Sequence, residues 1–160
     1  MYNHEPTEYR CPFCEYIRRD DTPRAPVGSI VHQAGLATAF LAKSRFSRIP
    51  VNVLVVPNDH VENLYDLDAR YAADLHRMTR AIALALKGVY GCDGVSTRQH
   101  NEPAGLQDVW HYHVHVTPRF PGDRLYAMQF TDFPKAERAR EAALLRAWIA
   151  DQAAHVLQDA

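Results

Sequence analysis

Residues 109–118 read Val109-Trp110-His111-Tyr112-His113-Val114-His115-Val116-Thr117-Pro118. Three histidines recur at every second position, and Tyr112, Val114 and Val116 fill the places between them. Successive side chains of a β-strand point to opposite faces. The stretch therefore predicts a strand over Val109–Thr117, ended by Pro118, with imidazoles on one face and an apolar anchor on the other. A row of imidazoles on a rigid element suits a functional site. Neutral imidazole is a nucleophile near neutral pH and needs no separate base. A second imidazole can donate a hydrogen bond to a phosphoryl oxygen as charge develops there. A third can orient the first or bind a metal. The pattern alone fits two or three metal ligands on one strand equally well.

Outward from this strand, His100–Asp108 is a polar loop with Pro103 and Gly105, and Val95–Gln99 is a strand entered from the Asp93-Gly94 turn. Val51–Val56 (VNVLVV) is nearly continuous in β-branched residues and is closed by Pro57, which predicts a central strand covered on both faces. Gly28–Gln33 and Leu36–Leu41, joined by Ala34-Gly35, predict a hairpin. Lys43–Arg48 is basic and reads as loop. Tyr71, Leu75, Met78, Ile82, Leu86 and Val89 recur at three- and four-residue spacing, a helix over roughly residues 68–88. Asp66 or Asp68 would cap it, and Gly88 or Gly91 would stop it. Pro134 opens a C-terminal helix, residues 134–158, with Leu145, Trp148, Ile149 and Val156 on one face. Strands, one helix, two more strands and a last helix give an α+β fold with a five-stranded, mainly antiparallel sheet. No repeat or linker divides residues 1–160, so one domain is expected, with 1–10 as a flexible polar arm.

The chain has 160 residues, of which 47% are hydrophobic, enough for a core of its own. Its net charge is -1, which carries no electrostatic footprint for a nucleic-acid polymer or an acidic membrane. No apolar run approaches the ~20 residues that span a bilayer. No apolar N-terminal segment with a basic flank marks a secretion signal, so the expected location is cytoplasmic. Of three cysteines, two stand in Cys11-Pro12-Phe13-Cys14. In such a chain this favours metal binding or redox chemistry over a disulfide framework. A redox motif should follow a buried strand, whereas Met1–Arg10 is polar. Cys92 reads as a free thiol in a turn. His4, His32, His76, His100 and His155 read as surface or loop residues, and Trp110 and Trp148 as core or subunit contacts.

The triad strand is preceded by Ala104-Gly105 and Gln107-Asp108-Val109 and followed by Thr117-Pro118-Arg119. With Leu54–Leu64 (LVVPNDHVENL) and the C-x-x-C pair, these blocks resemble the histidine triad (HIT) family, in the family's order, over residues 11–120. The resemblance implies a HIT-like domain with 11–120 as its core, and a homodimer with two sheets side by side. It implies a nucleotide phosphohydrolase or nucleotidyl transferase. His113 would attack the α-phosphorus of a nucleoside phosphate conjugate and form a covalent nucleotidyl-histidine. His115 would bond phosphate oxygens, and His111 would be structural. Asn101 and Gln107 are the expected substrate contacts, with Arg119 a further group near phosphate. It also implies a structural zinc ion on Cys11, Cys14, His60 and His111, a donor set that makes a closed tetrahedral site. Three positions depart from the family pattern. Val51-Asn52 replaces a frequent Gly-His, Ala42 replaces an acidic residue, and Asp108 replaces a small hydroxyl residue. They keep a second reading open, a nucleotide-binding module with little or no turnover.

Overall fold

The structure, a computed structural model, describes residues 2–152. Helix α1 (Pro12–Arg18) is followed by strands β1 (Ile30–Ala34), β2 (Ala37–Leu41), β3 (Ser44–Phe46) and β4 (Val53–Pro57). Helix α2 (Arg70–Tyr90), strands β5 (Gly94–Gln99), β6 (Val114–Arg119) and β7 (Phe130–Asp132), and helix α3 (Lys135–Asp151) complete the chain. Five strands form one sheet in the order β1-β2-β4-β6-β5, and every neighbouring pair is antiparallel. The expected α+β fold is the one observed. The β-branched stretch is the central strand: all five residues of β4 are buried.

Period-two patterning assigns the two faces. Val53, Val55 and Val116 join Ala39 and Leu41 in a core covered by Tyr71, Leu75, Met78, Ile82 and Leu86 of α2 and by Leu145 and Ile149 of α3. Leu54, Val56 and Phe40 face the other way and pack with Phe13, Tyr16 and Ala25. Tyr16 stacks on Phe40 at 4.0 Å between ring centroids. Helix α1 therefore closes the β1–β4 half of that second face. The β6–β5 half is where the histidine row falls.

Several boundaries differ from expectation. The triad strand begins at Val114 rather than Val109 and runs through Pro118 to Arg119. The ladder to β4 ends at Val53↔Val116, so beyond it one side of β6 has no partner strand and a residue without an N–H is tolerated. Lys43–Arg48 is not all loop, since β3 pairs with β7 through Ser44↔Asp132 and Phe46↔Phe130. Each of those strands has three residues and a partner more than 80 positions away, too short for a local pattern to register. Helix α3 starts just after Pro134 and is described to Asp151; the predicted extension to 158, with Val156, lies outside the described residues. Asp68 caps α2, its carboxylate accepting from the Arg70 N–H at 2.9 Å. Gly91 ends the helix at φ 60° with its N–H on the Lys87 carbonyl.

Gly88 has a different task. A Cβ there would overlap the Trp148 indole, so the missing side chain lets α3 lie against α2. Gly88→Val is expected to destabilise the fold by about 1–3 kcal/mol through overpacking. A thermal melt reads this directly, and an unchanged midpoint would show that Trp148 does not need the space.

Candidate active site and metal centre

Cys11 immediately precedes α1 and Cys14 lies in its first turn, so one short helix presents both sulfurs together. His60 follows β4 and His111 precedes β6. Those strands are neighbours and antiparallel, so the two imidazoles meet at one end of the sheet. One ligand atom from each of Cys11, Cys14, His60 and His111 lies within 4.8 Å of all the others. Cys11 Sγ is 3.3 Å from His111 Nδ1, Cys14 Sγ is 3.3 Å from His60 Nδ1 and Cys14 Sγ is 3.7 Å from His111 Nδ1. A tetrahedral zinc site with ordinary Zn–S and Zn–N bonds has sulfur-to-nitrogen edges of about 3.5 Å. The donor set fits the ion in type and in spacing.

The outer contacts fit as well. His111 Nε2 donates to the Pro57 carbonyl at 3.0 Å, and His60 Nε2 faces the Glu5 carboxylate at 2.8 Å. Each bond holds a proton on Nε2 and turns Nδ1 toward the sulfurs, the nitrogen that would bind a metal once it had released its own proton. The cluster's own charges already favour a cation. The hydrogen bond from Cys11, with those from His111 and His60, holds the Cys14 thiol far below its usual range. Donation to Cys14, together with burial, raises Cys11. Cys14 and then Glu5 push His60 up to about 9.

The next two histidines are placed for a different use. His113 is 2% exposed, and its Nδ1–H donates to the main-chain carbonyl of His111 at 2.7 Å. That bond fixes the tautomer and leaves the lone pair on Nε2. Phe13 stands edge-on to the His113 ring at 5.2 Å. Burial lowers the His113 pKa below its ordinary value, so the ring is neutral at neutral pH. The His115 ring lies 5.0 Å from that of His113. Burial first, and then the charges of His113, Arg98 and His100, bring His115 down to about 3.

Asn52 controls which nitrogen of His115 carries its proton. Thr117 Oγ1 donates to Asn52 Oδ1 at 3.3 Å, which turns the Asn52 amide so that Nδ2 meets His115 Nδ1 at 3.2 Å. The proton of His115 then sits on Nε2. The sequence marked Asn52 only as a departure; its contact with His115 needed the β4–β6 register. Arg98 lies opposite His115 in the β5–β6 ladder, and the His100 ring is 5.9 Å from that of His115. In the sequence His100 reads only as a surface or loop histidine, and Arg98 carries no motif. The available signal was parity, since residues of one parity on an adjacent strand share the face.

Asn101 and Gln107 are braces within the loop. Gln107 is 4% exposed. Its two donor hydrogens go to the carbonyls of Glu62 at 2.7 Å and Val109 at 3.1 Å, and its oxygen accepts from Glu102 N at 2.8 Å. Asn101 binds Leu64 N through its oxygen at 2.8 Å and exchanges two amide bonds with Gln99. Arg119 is held by Asp123 through two bonds of 2.7 Å. Residues 2–10 cross the metal end, with the His4 and Glu5 N–H groups on the Glu62 carboxylate at 2.6 and 3.1 Å.

Comparison with known proteins places this geometry in a context. The profile of the HIT domain matches residues 17–122. The chain is 32% identical over 110 residues to the Bacillus subtilis protein named Protein hit, covering 69% of this chain and 71% of that one. It is 30% identical over 105 residues to the purine nucleoside phosphoramidase of Escherichia coli, covering 65% and 82%. Among solved structures, a zinc-bound histidine triad family protein from Mycobacterium smegmatis superposes with a TM-score of 0.73 at 27% identity, covering 90% and 96%. Among the described residues no helix is long and apolar enough to cross a membrane.

Metal analysis of the purified chain is expected to find about one zinc per chain, and Cys14→Ala to lose it. Glu5→Gln, which keeps all four ligands, should weaken zinc binding about ten-fold in a chelator competition. Equal affinity in Glu5→Gln and the parent would remove Glu5 from the support of His60.

Proposed function

We propose that this chain, which belongs to the HIT family, is a nucleotide phosphohydrolase or nucleotidyl transferase that works at the α-phosphate of nucleoside phosphate conjugates through His113. The observation that carries this reading is the bond from His113 Nδ1 to the His111 carbonyl. It leaves a neutral imidazole with its lone pair on the one nitrogen free to attack. The Escherichia coli relative's name, purine nucleoside phosphoramidase, supports the same bond as the target.

In this mechanism His113 Nε2 attacks the α-phosphorus, an N–P bond forms and the bond to the leaving group breaks. The proton stays on Nδ1, so the intermediate carries an imidazolium whose positive charge faces the His111 carbonyl. His115 Nε2–H donates to a non-bridging oxygen as negative charge gathers there. The leaving group departs with the bonding electrons. Water or another acceptor then attacks phosphorus, the N–P electrons return to Nε2, the acceptor's proton passes through solvent to the departed group, and neutral His113 returns. An imidazole is both a good nucleophile and a good leaving group, which suits two-step substitution. Asp108 is exposed, and its charge raises the basicity of His113.

Cys11, Cys14, His60 and His111 would hold zinc, whose role is structural: all four positions are filled by protein, with none open for substrate. The ion ties α1, the end of β4 and the start of β6 together, and so steadies the His111 carbonyl. A second copy of the chain is the proposed partner. Strand β5 lies at one end of the sheet order with β6 as its single neighbour, and an edge capped by a second copy is a common use of such a strand.

His113→Ala is expected to abolish turnover and the acid-labile nucleotidyl adduct while the chain stays folded. Wild-type rates in that variant would sink the nucleophile. Nucleotide binding without adduct or turnover in the parent chain would leave the binding-module reading. Asn52→Asp tests His115 separately. An ionised carboxylate there accepts a proton from Nδ1 and turns a lone pair toward phosphate, so turnover should fall roughly 100-fold, the usual cost of one lost oxyanion donor. Full activity in Asn52→Asp would show that the His115 tautomer is set by something else.

A further inference from the structure

Arg98 is the unusual group on the catalytic face. It is half-buried on β5 and stands directly across the ladder from His115. Among the described residues no carboxylate pairs with it. The contrast with Arg119, on the same face one strand over, is plain: Arg119 is neutralised by Asp123 through two bonds. The neighbours of Arg98 offer no negative charge either. His115 is a neutral ring whose basicity the guanidinium lowers further, and Phe46 and Tyr126 present ring faces at 5.8 and 5.7 Å from the Arg98 guanidinium carbon.

A partly buried cation without a counter-ion is held at a cost. Contact with two aromatic faces offsets part of that cost and orients the guanidinium, but leaves its N–H edge without a partner anion. Tyr126 has an anomaly of its own, being 69% exposed. Its ring stands between two arginines, with the Arg119 guanidinium carbon at 5.6 Å. An exposed aromatic ring beside a guanidinium with no carboxylate partner among the described residues, on the strand paired with that of the proposed phosphate donor, is a place for an anion.

We propose that Arg98, steadied by Phe46 and Tyr126, forms a second anion subsite contiguous with the histidine pair, which takes the phosphoryl group next to the one that His113 attacks. This rests on the reading of His113 and His115 as the α-phosphate site. It assigns Arg98 a role in specificity: the chain favours nucleotides carrying at least two linked phosphates over those with one. A planar fork of N–H donors suits a phosphate, which can accept two of them at once.

The test is isothermal titration of the full chain with AMP and with ADP. ADP should bind at least about ten-fold more tightly, the ordinary worth of charge-assisted bonds. Arg98→Gln should shrink that preference to less than about three-fold, and Arg98→Lys, which keeps the charge without the fork, should retain an intermediate preference. Equal affinity for AMP and ADP in the parent chain, an unchanged preference in Arg98→Gln, or failure to bind either nucleotide would each overturn the subsite. The two readings separate cleanly. A chain that prefers ADP through Arg98 yet forms no adduct on His113 keeps the subsite and loses the nucleophile.

Discussion

His111 is the residue on which the rest of the site depends, because three of its groups are committed in three directions. Its Nδ1 faces the two cysteines, its Nε2–H is held by the carbonyl of Pro57, and its own carbonyl receives His113. A small rotation at this position would break the metal cluster and free the neighbouring imidazole together. Burial makes the arrangement rigid. His111 is 0% exposed, and unpaired polar groups inside a protein are expensive, so each bond is enforced by the absence of water.

The same burial sets the charge state of His113 and His115. His113 and His115 are kept neutral by desolvation, and each has one nitrogen tied to a fixed partner. The two free nitrogens therefore differ in kind, a lone pair on His113 and a donor on His115. Two chemically identical side chains acquire complementary roles from one carbonyl and one amide. Arg98 adds the lasting positive charge that two neutral rings cannot supply. The cluster of Cys11, Cys14, His60 and His111 lies apart from these two rings, and its outer support comes from Glu5 on His60.

The sheet was legible because its signals are local. The β-branched run Val51–Val56 pointed to a doubly covered strand, observed over Val53–Pro57, and the period of the α2 stripe pointed to a helix. The two cysteines of the candidate metal cluster were legible through the C-x-x-C pair, whose spacing brings two sulfurs together on its own. The short ribbon of β3 and β7 was not, since neither Ser44–Phe46 nor Phe130–Asp132 carries a pattern long enough to read. Asn101 and Gln107 looked like substrate contacts because polar residues in a loop beside a reactive strand invite that reading. In the fold their amides close the loop, a use that depends on where Glu62, Leu64 and Val109 arrive.

By itself the sequence determined the α+β class, the donor chemistry for a metal and the family to which these features belong. Each follows from residue type and from spacing within a few positions. Only the tertiary structure decided that His113 donates to the His111 carbonyl, that Asn52 and Thr117 set the tautomer of His115, and that Arg98 meets Tyr126 and Phe46 with no carboxylate partner among the described residues. Those facts arise between segments far apart in the chain. Strand register and burial create them, and neither is written in any one stretch of residues.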